Sequence, residues 1–179
     1  MAITSTRRRE GRSTVALGIA LVMRERLAGT TVLIELDFER PCLAELLGLP
    51  AAPGLAQVLR DEADLEDSIR WVDPSFGVLP AGDVAGEDSA LWSQFGPSGV
   101  LGKLASSGHR VVADLPPLPP YGQADRLADL FSATILVVRA GRTSAEEIDS
   151  AVRALTSPPA VILNGKSSAV PGWLRALGL

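Results

Sequence analysis

The chain has 179 residues, of which 46% are apolar and 21% charged, and its formal net charge is −4 at pH 7. That length suits one domain spanning residues 1–179 with its own core, and the composition excludes wholesale disorder. The acidic balance excludes a general drive towards nucleic acid, and a single cysteine, Cys42, excludes an internal disulfide framework and fits a reducing cytoplasm.

In chain order, residues 1–14 offer no apolar leader or cleavage site. The longest apolar run, Val15 to Met23, stops well short of the ~20 residues that span a bilayer. A cytoplasmic protein is therefore expected. Short β-rich runs predict strands at Ala2–Ser5, Thr31–Glu35, Gly77–Leu79, Arg110–Asp114, Thr134–Val138 and Ala160–Leu163. Between them, helical patterns cover Ser13–Ala28, Pro41–Gly48, Leu55–Arg60, Leu65–Arg70, Ser89–Ser106, Gln123–Phe131 and Ser144–Thr156. Strands that are nearly continuous in Val, Ile and Leu and alternate with helices predict a doubly wound α/β domain. Its sheet is mostly parallel, with helices on both faces. In such sheets ligands sit outside the carboxyl ends of the strands, where the loops after Ser5, Glu35 and Asp114 converge.

Those three loops carry the chemistry. Thr4-Ser5-Thr6-Arg7-Arg8-Arg9-Glu10-Gly11-Arg12-Ser13-Thr14 has the frame of a phosphate-binding loop, with Arg12 where such loops carry lysine. It follows a short strand and opens an apolar helix, whose N-terminal N–H groups and dipole favour an anion. An N-cap role for Ser13 or Thr14 is the plain alternative. Carboxylates also end two buried strands, Glu35 and Asp37 in one segment and Asp114 in the other. Carboxylates placed there are what Mg²⁺ binding and water positioning require.

Together these segments resemble the bacterial tyrosine kinases of capsule and exopolysaccharide synthesis, within the Min/Par group of deviant Walker ATPases. Thr4, Ser5, Glu10, Gly11, Ser13 and Thr14 match the family's phosphate loop. Ile34, Asp37, Arg40 and Pro41 match its second motif, and Asp114, Pro116 and Pro117 its third. Matching segments continue to Leu163-Asn164-Gly165, so the resemblance spans nearly the whole chain. It implies a P-loop NTPase fold, with ATP or ADP held by Arg9, Glu10, Gly11, Arg12, Ser13, Thr14 and Asn164, the last at the adenine. It also implies Mg²⁺ on Ser13, Glu35, Asp37 and Asp114, and catalysis, if any, by Arg12, Asp37 and Asp114.

Departures from the family cluster at the chemistry. Arg12 replaces the loop lysine, Arg9 a glycine, Arg8 a proline, and Glu35 the first aspartate of the second motif. Arginine is longer and planar and does not act as a compact point charge. Phosphoryl transfer depends on positioning and electrostatics. The expectation is therefore a pseudo-ATPase retained as a binding, assembly or regulatory module, its partner a membrane adaptor, a paralogous ATPase or a second copy. Such a partner would place it peripherally at the inner membrane. Two alternatives stand beside it: an active ATPase or tyrosine kinase whose phosphate site is rebuilt from arginines, and a Par-type polyanion-binding protein. The resemblance also implies a tyrosine-rich tail, and within these 179 residues Tyr121 is the one tyrosine, so the expectation leans away from an autophosphorylating kinase. The ending Val170–Leu179 reads as a docking segment rather than a membrane anchor, His109 as a surface residue, and Trp71 and Trp92 as packing residues.

Overall fold

Apolar runs of four to six residues become strands because each is covered on both faces. In a computed structural model, which describes residues 1–84, 94–118 and 123–165, the strands are β1 (Ala2–Ser5), β2 (Thr31–Glu35), β3 (Arg70–Asp73), β4 (Phe76–Leu79), β5 (Arg110–Asp114), β6 (Thr134–Arg139) and β7 (Ala160–Asn164). They form one sheet in the order β3-β4-β2-β5-β1-β6-β7. Every pairing is parallel except β3 with β4. The helices are α1 (Arg12–Arg26), α2 (Leu43–Leu47), α3 (Leu55–Leu59), α4 (Leu65–Ser68), α5 (Val100–Ser106), α6 (Ala124–Ala128) and α7 (Ala145–Arg153). The mostly parallel sheet with helices is the α/β architecture expected from the sequence.

Strand periodicity divides the apolar residues between two cores. Ile3, Leu33, Val112 and Val137 face one side, packed with Ala16 and Ala20 of α1 and Leu43 of α2. Ala2, Val32, Ile34, Ala113 and Leu136 face the other, packed with Leu55 and Leu59 of α3, Leu104 of α5, Leu127 of α6 and Ala151 of α7. The central strands β1 and β2 are buried along their whole length. Edge strand β7 is open, with Val161 and Leu163 about half exposed.

Two differences from the predicted elements have local causes. The helix expected over Leu65–Arg70 ends at Ser68, and Arg70 instead begins β3. Pro74-Ser75 turns β3 back onto β4, with Asp73 Oδ1 accepting from both the backbone N–H and the hydroxyl of Ser75. A Cβ on Gly77 would sit 2.6 Å from Ile69 Cγ2 and 3.0 Å from the Trp71 indole, so the hairpin favours glycine there. The helix expected over Ser89–Ser106 begins, among the described residues, only at Val100. Gly96 and Pro97 precede it, and proline inside a helix removes a hydrogen bond and clashes with the preceding turn. Trp92, Tyr121 and the segment Val170–Leu179 lie outside the described residues. His109 is half-buried, its Nδ1 against the Thr30 hydroxyl and its ring 5.6 Å from that of Trp71. Among the described residues no helix is long and apolar enough to cross a membrane.

Candidate functional site

β1 delivers the phosphate-loop segment between β5 and β6, and α1 carries it away. Ser5 Oγ donates to the Arg7 carbonyl at 2.8 Å and tightens the start of the loop. Glu10 is the fastener in the middle. Its Oε2 accepts from Thr6 Oγ1 at 2.9 Å and from the Arg7 N–H at 2.8 Å. Its Oε1 accepts from the Arg139 N–H at 3.2 Å and from the Thr143 hydroxyl. Asn164 Nδ2 donates to the Glu10 carbonyl at 2.8 Å. Both Glu10 and Asn164, expected at the nucleotide, thus clamp the loop to the ends of β6 and β7. The Asn164 amide lies so close over Gly11 that a Cβ there would meet it at 2.1 Å, and Gly11 has φ +86°. Arg9 has φ +65°, a left-handed backbone that disfavours an L side chain by roughly 1–2 kcal/mol.

α1 starts at Gly11 with no side-chain cap and no acidic residue in its first turn. First-turn N–H groups of a helix lack intrahelical partners. Those of Arg12, Ser13 and Thr14 therefore form a backbone anion site at the floor of a cleft of about 280 Å³. Ser5, Arg8, Arg9, Arg40 and Cys42 line the same cleft. Arg40 and Cys42 are not among the site residues that the sequence predicts. The available signal for Arg40 was its place three residues after Asp37 in the same loop.

The Arg12 side chain is not free to meet a phosphate. Its guanidinium is about nine-tenths buried and bridges two carboxylates, with Nε 2.8 Å from Asp114 Oδ1 and Nη2 2.7 Å from Asp37 Oδ2. Burial penalises its charge, but Asp114 and Asp37 together outweigh that and raise its pKa. Asp37 Oδ2 also receives Arg8 Nη1 at 3.2 Å, and Arg8 continues to Glu39. Asp37 Oδ1 accepts from the Arg40 N–H at 3.2 Å. Asp114 is fully buried. Burial raises its pKa against the opposing pull of Arg12 and the Ser13 hydroxyl. Asp114 Oδ2 has no hydrogen-bond partner among the described residues.

Glu35, expected at the metal, is turned elsewhere. Its Oε1 accepts from the N–H groups of Cys42 and Leu43, the latter at 2.7 Å, and its Oε2 from Ala81 N–H at 3.2 Å. Its carboxylate thus ties the end of β2 to the start of α2 and to the chain after β4. Burial raises its pKa, and the three backbone N–H groups oppose the rise. Ser13 Oγ accepts from Cys42 Sγ at 3.4 Å, and burial keeps that thiol protonated by pushing its pKa up.

The phosphate half of the expected nucleotide therefore fits: a helix N-terminus opens into the cleft beside Arg9 and Arg40. Among the described residues neither guanidinium makes an ion pair. Magnesium does not fit. Arg12 occupies the space between Asp37 and Asp114, and Glu35 is held by the backbone. Among the described residues no three His, Cys, Asp or Glu side chains group as metal ligands.

Comparison with known proteins gives the same fold a lineage. The tyrosine-protein kinase YwqD of Bacillus subtilis is 25% identical over 169 residues, 92% of this chain and 71% of the relative. Tyrosine-protein kinase CpsD of Streptococcus agalactiae serotype III is 29% identical over 154 residues, 84% of this chain and 66% of the relative. Among solved structures, the VpsO kinase domain superposes with a TM-score of 0.79 at 28% identity, covering 91% of this chain and 82% of that domain. A Borrelia burgdorferi plasmid partition protein (TM-score 0.68, 18% identity, 99% and 84% covered) shares the fold alone. So does a Mycobacterium smegmatis cobyrinic acid a,c-diamide synthase holding an ATP analogue and magnesium (TM-score 0.69, 19%, 90% and 70%). No protein-family model matches the chain. The homologues of this chain are bacterial tyrosine-protein kinases, and its fold is that of kinase domains and ParA-like P-loop ATPases.

Proposed function

We propose that this relative of the bacterial tyrosine kinases keeps a phosphate-binding cleft but has lost or much reduced phosphoryl transfer, and acts as a binding or regulatory module in exopolysaccharide assembly. One observation carries the reading: at the floor of the cleft, the group that replaces the phosphate-loop lysine is ion-paired to Asp37 and Asp114. A lysine in that loop places a mobile point charge on the terminal phosphates. Arg12 is committed to two buried carboxylates instead, and leaving them would strip Asp114 of its cation and leave Asp37 with Arg8 alone. Catalysis that relies on positioned charge loses both the cation and the carboxylates at once. The proposed nucleotide contacts are then the N-terminal amides of Arg12, Ser13 and Thr14, with Arg9 and Arg40 beside them. The partner is proposed to be a membrane adaptor, an active paralogue or a second copy of this chain, which would hold the protein at the inner membrane.

The second reading is an active ATPase or tyrosine kinase with an arginine-rebuilt site. The relatives, which are tyrosine-protein kinases, stand nearer to this reading than to the first. Incubation of the purified chain with ATP and Mg²⁺, scored for ADP release and for phosphotyrosine, separates the two. Turnover at the rate of ordinary kinases, on the order of 1 s⁻¹ or faster, would overturn the first reading. The polyanion reading is weakened by the ion pairs: Arg7 is held by Glu147, Arg8 by Asp37 and Glu39, and Arg12 is buried. Two remaining guanidinium groups neutralise few backbone phosphates.

A further inference from the structure

The disagreement between this cleft and a magnesium ion carries an inference of its own. Asp114 ends β5 and Asp37 lies just beyond the end of the neighbouring β2, and both are buried. A pair of buried carboxylates demands a cation. In this chain the demand is met within the protein. Arg12 Nε and Nη2 lie 2.8 and 2.7 Å from one oxygen of each carboxylate, and Arg8 Nη1 adds a second contact to Asp37. The guanidinium is planar and directs separate N–H groups to the two acids, which one lysine ammonium does less well. The other acid of the second motif, Glu35, is already saturated by Cys42, Leu43 and Ala81 N–H groups.

We propose that Arg12 is a resident cation standing in the place of a divalent metal, so that the cleft takes phosphate groups without magnesium. The choice of ligand rests on the phosphate-cleft reading above; the occupation of the metal position by Arg12 does not. The inference separates two roles that a P-loop protein usually divides between lysine and metal. Here the carboxylates are neutralised permanently, and the ligand meets only backbone N–H groups and the rim arginines. It also identifies Asp37 and Asp114 as a latent metal site, visible once the guanidinium is removed.

The test uses metal alone. Thermal unfolding of the full chain is followed in EDTA and in millimolar MgCl₂ at matched ionic strength, for the wild type, Arg12→Gln and Arg12→Gln/Asp114→Asn. The wild type is expected to shift by less than about 1 °C. Arg12→Gln is expected to gain on the order of 3 °C with magnesium, as a ligand at several times its Kd would give. Adding Asp114→Asn should erase that gain. A folded Arg12→Gln that gains nothing would overturn the proposal, as would a wild type stabilised as much as the variant. Should Arg12→Gln fail to fold in either buffer, the wild type still decides. Paramagnetic titration with Mn²⁺ should find no bound equivalent that Asp114→Asn removes, and finding one sinks the idea. Bound Mn²⁺ without ATP turnover would defeat this inference and leave the function proposed above standing. Turnover without bound metal would do the reverse.

Discussion

The floor and the rim of one cleft use the same residue type for opposite ends. On the floor, Arg12 is buried and spends its hydrogen-bonding capacity on Asp37 and Asp114. At the rim, Arg9 and Arg40 are exposed and, among the described residues, make no ion pair. The difference is set by solvent. A buried guanidinium must be neutralised where it stands, whereas an exposed one remains hydrated and available to an incoming anion. A run of arginines in a sequence is therefore not one feature, and its members divide between structure and recognition according to depth.

Removing the floor cation should have the largest effect. Arg12→Ala leaves buried Asp114 without its cation and Asp37 with only the longer contact to Arg8, and we expect a loss of about 3–5 kcal/mol in denaturant unfolding. A loss below about 1 kcal/mol would erase the distinction between floor and rim. Next comes Glu35→Ala, which orphans the N–H groups of Cys42, Leu43 and Ala81. About 2–3 kcal/mol should disappear in the same measurement. Arg9→Gly acts in the other direction, relieving the left-handed backbone at φ +65°. It should raise stability by up to about 1 kcal/mol while weakening retention of ATP in calorimetric titration. Arg40→Gln should leave stability within about 0.5 kcal/mol and weaken ATP binding several-fold; unchanged binding would deny the rim its role.

The smallest effect is a slope with pH. Burial, opposed by three backbone N–H groups, raises the Glu35 pKa above its ordinary 4.5. The folded state therefore holds that proton in a window where the unfolded chain has lost it, and stability falls as pH rises through the window. Glu35→Gln should flatten that part of a stability profile recorded upwards from pH 4.5.

Much of the scaffold was legible because period and run length report burial directly. Ala2–Ser5, Thr31–Glu35 and Arg110–Asp114 were read with the bounds the structure gives them. β3 was missed because Arg70-Trp71-Val72-Asp73 is only partly buried and follows a short acidic helix, so neither composition nor length marked it. Its true signal was the two-residue Pro74-Ser75 turn between two apolar runs. At the site, the sequence brought the right residues together but not the way they face. Arg12, Asp37 and Asp114 do meet, yet as an ion-paired cluster 25 and 102 residues apart in sequence. Spacing places side chains on loops; it does not say which acid an arginine will choose, nor that Glu10 and Asn164 will bind the loop to β6 and β7.

Glu35 ends β2 as a strut between three segments, and its length is what lets it serve. The kinases that this sequence resembles carry aspartate at this position. Shortening the side chain by one methylene would draw the carboxylate back from the Ala81 N–H or from the start of α2. Glu35→Asp is thus not a neutral step: the chain would lose a brace before it gained a ligand. Arg12 obstructs the other route, since removing it first takes the cation from buried Asp114 and the shorter of two ion pairs from Asp37. A divalent metal between these carboxylates would therefore need both changes together, a shorter acid in place of Glu35 and removal of the Arg12 guanidinium.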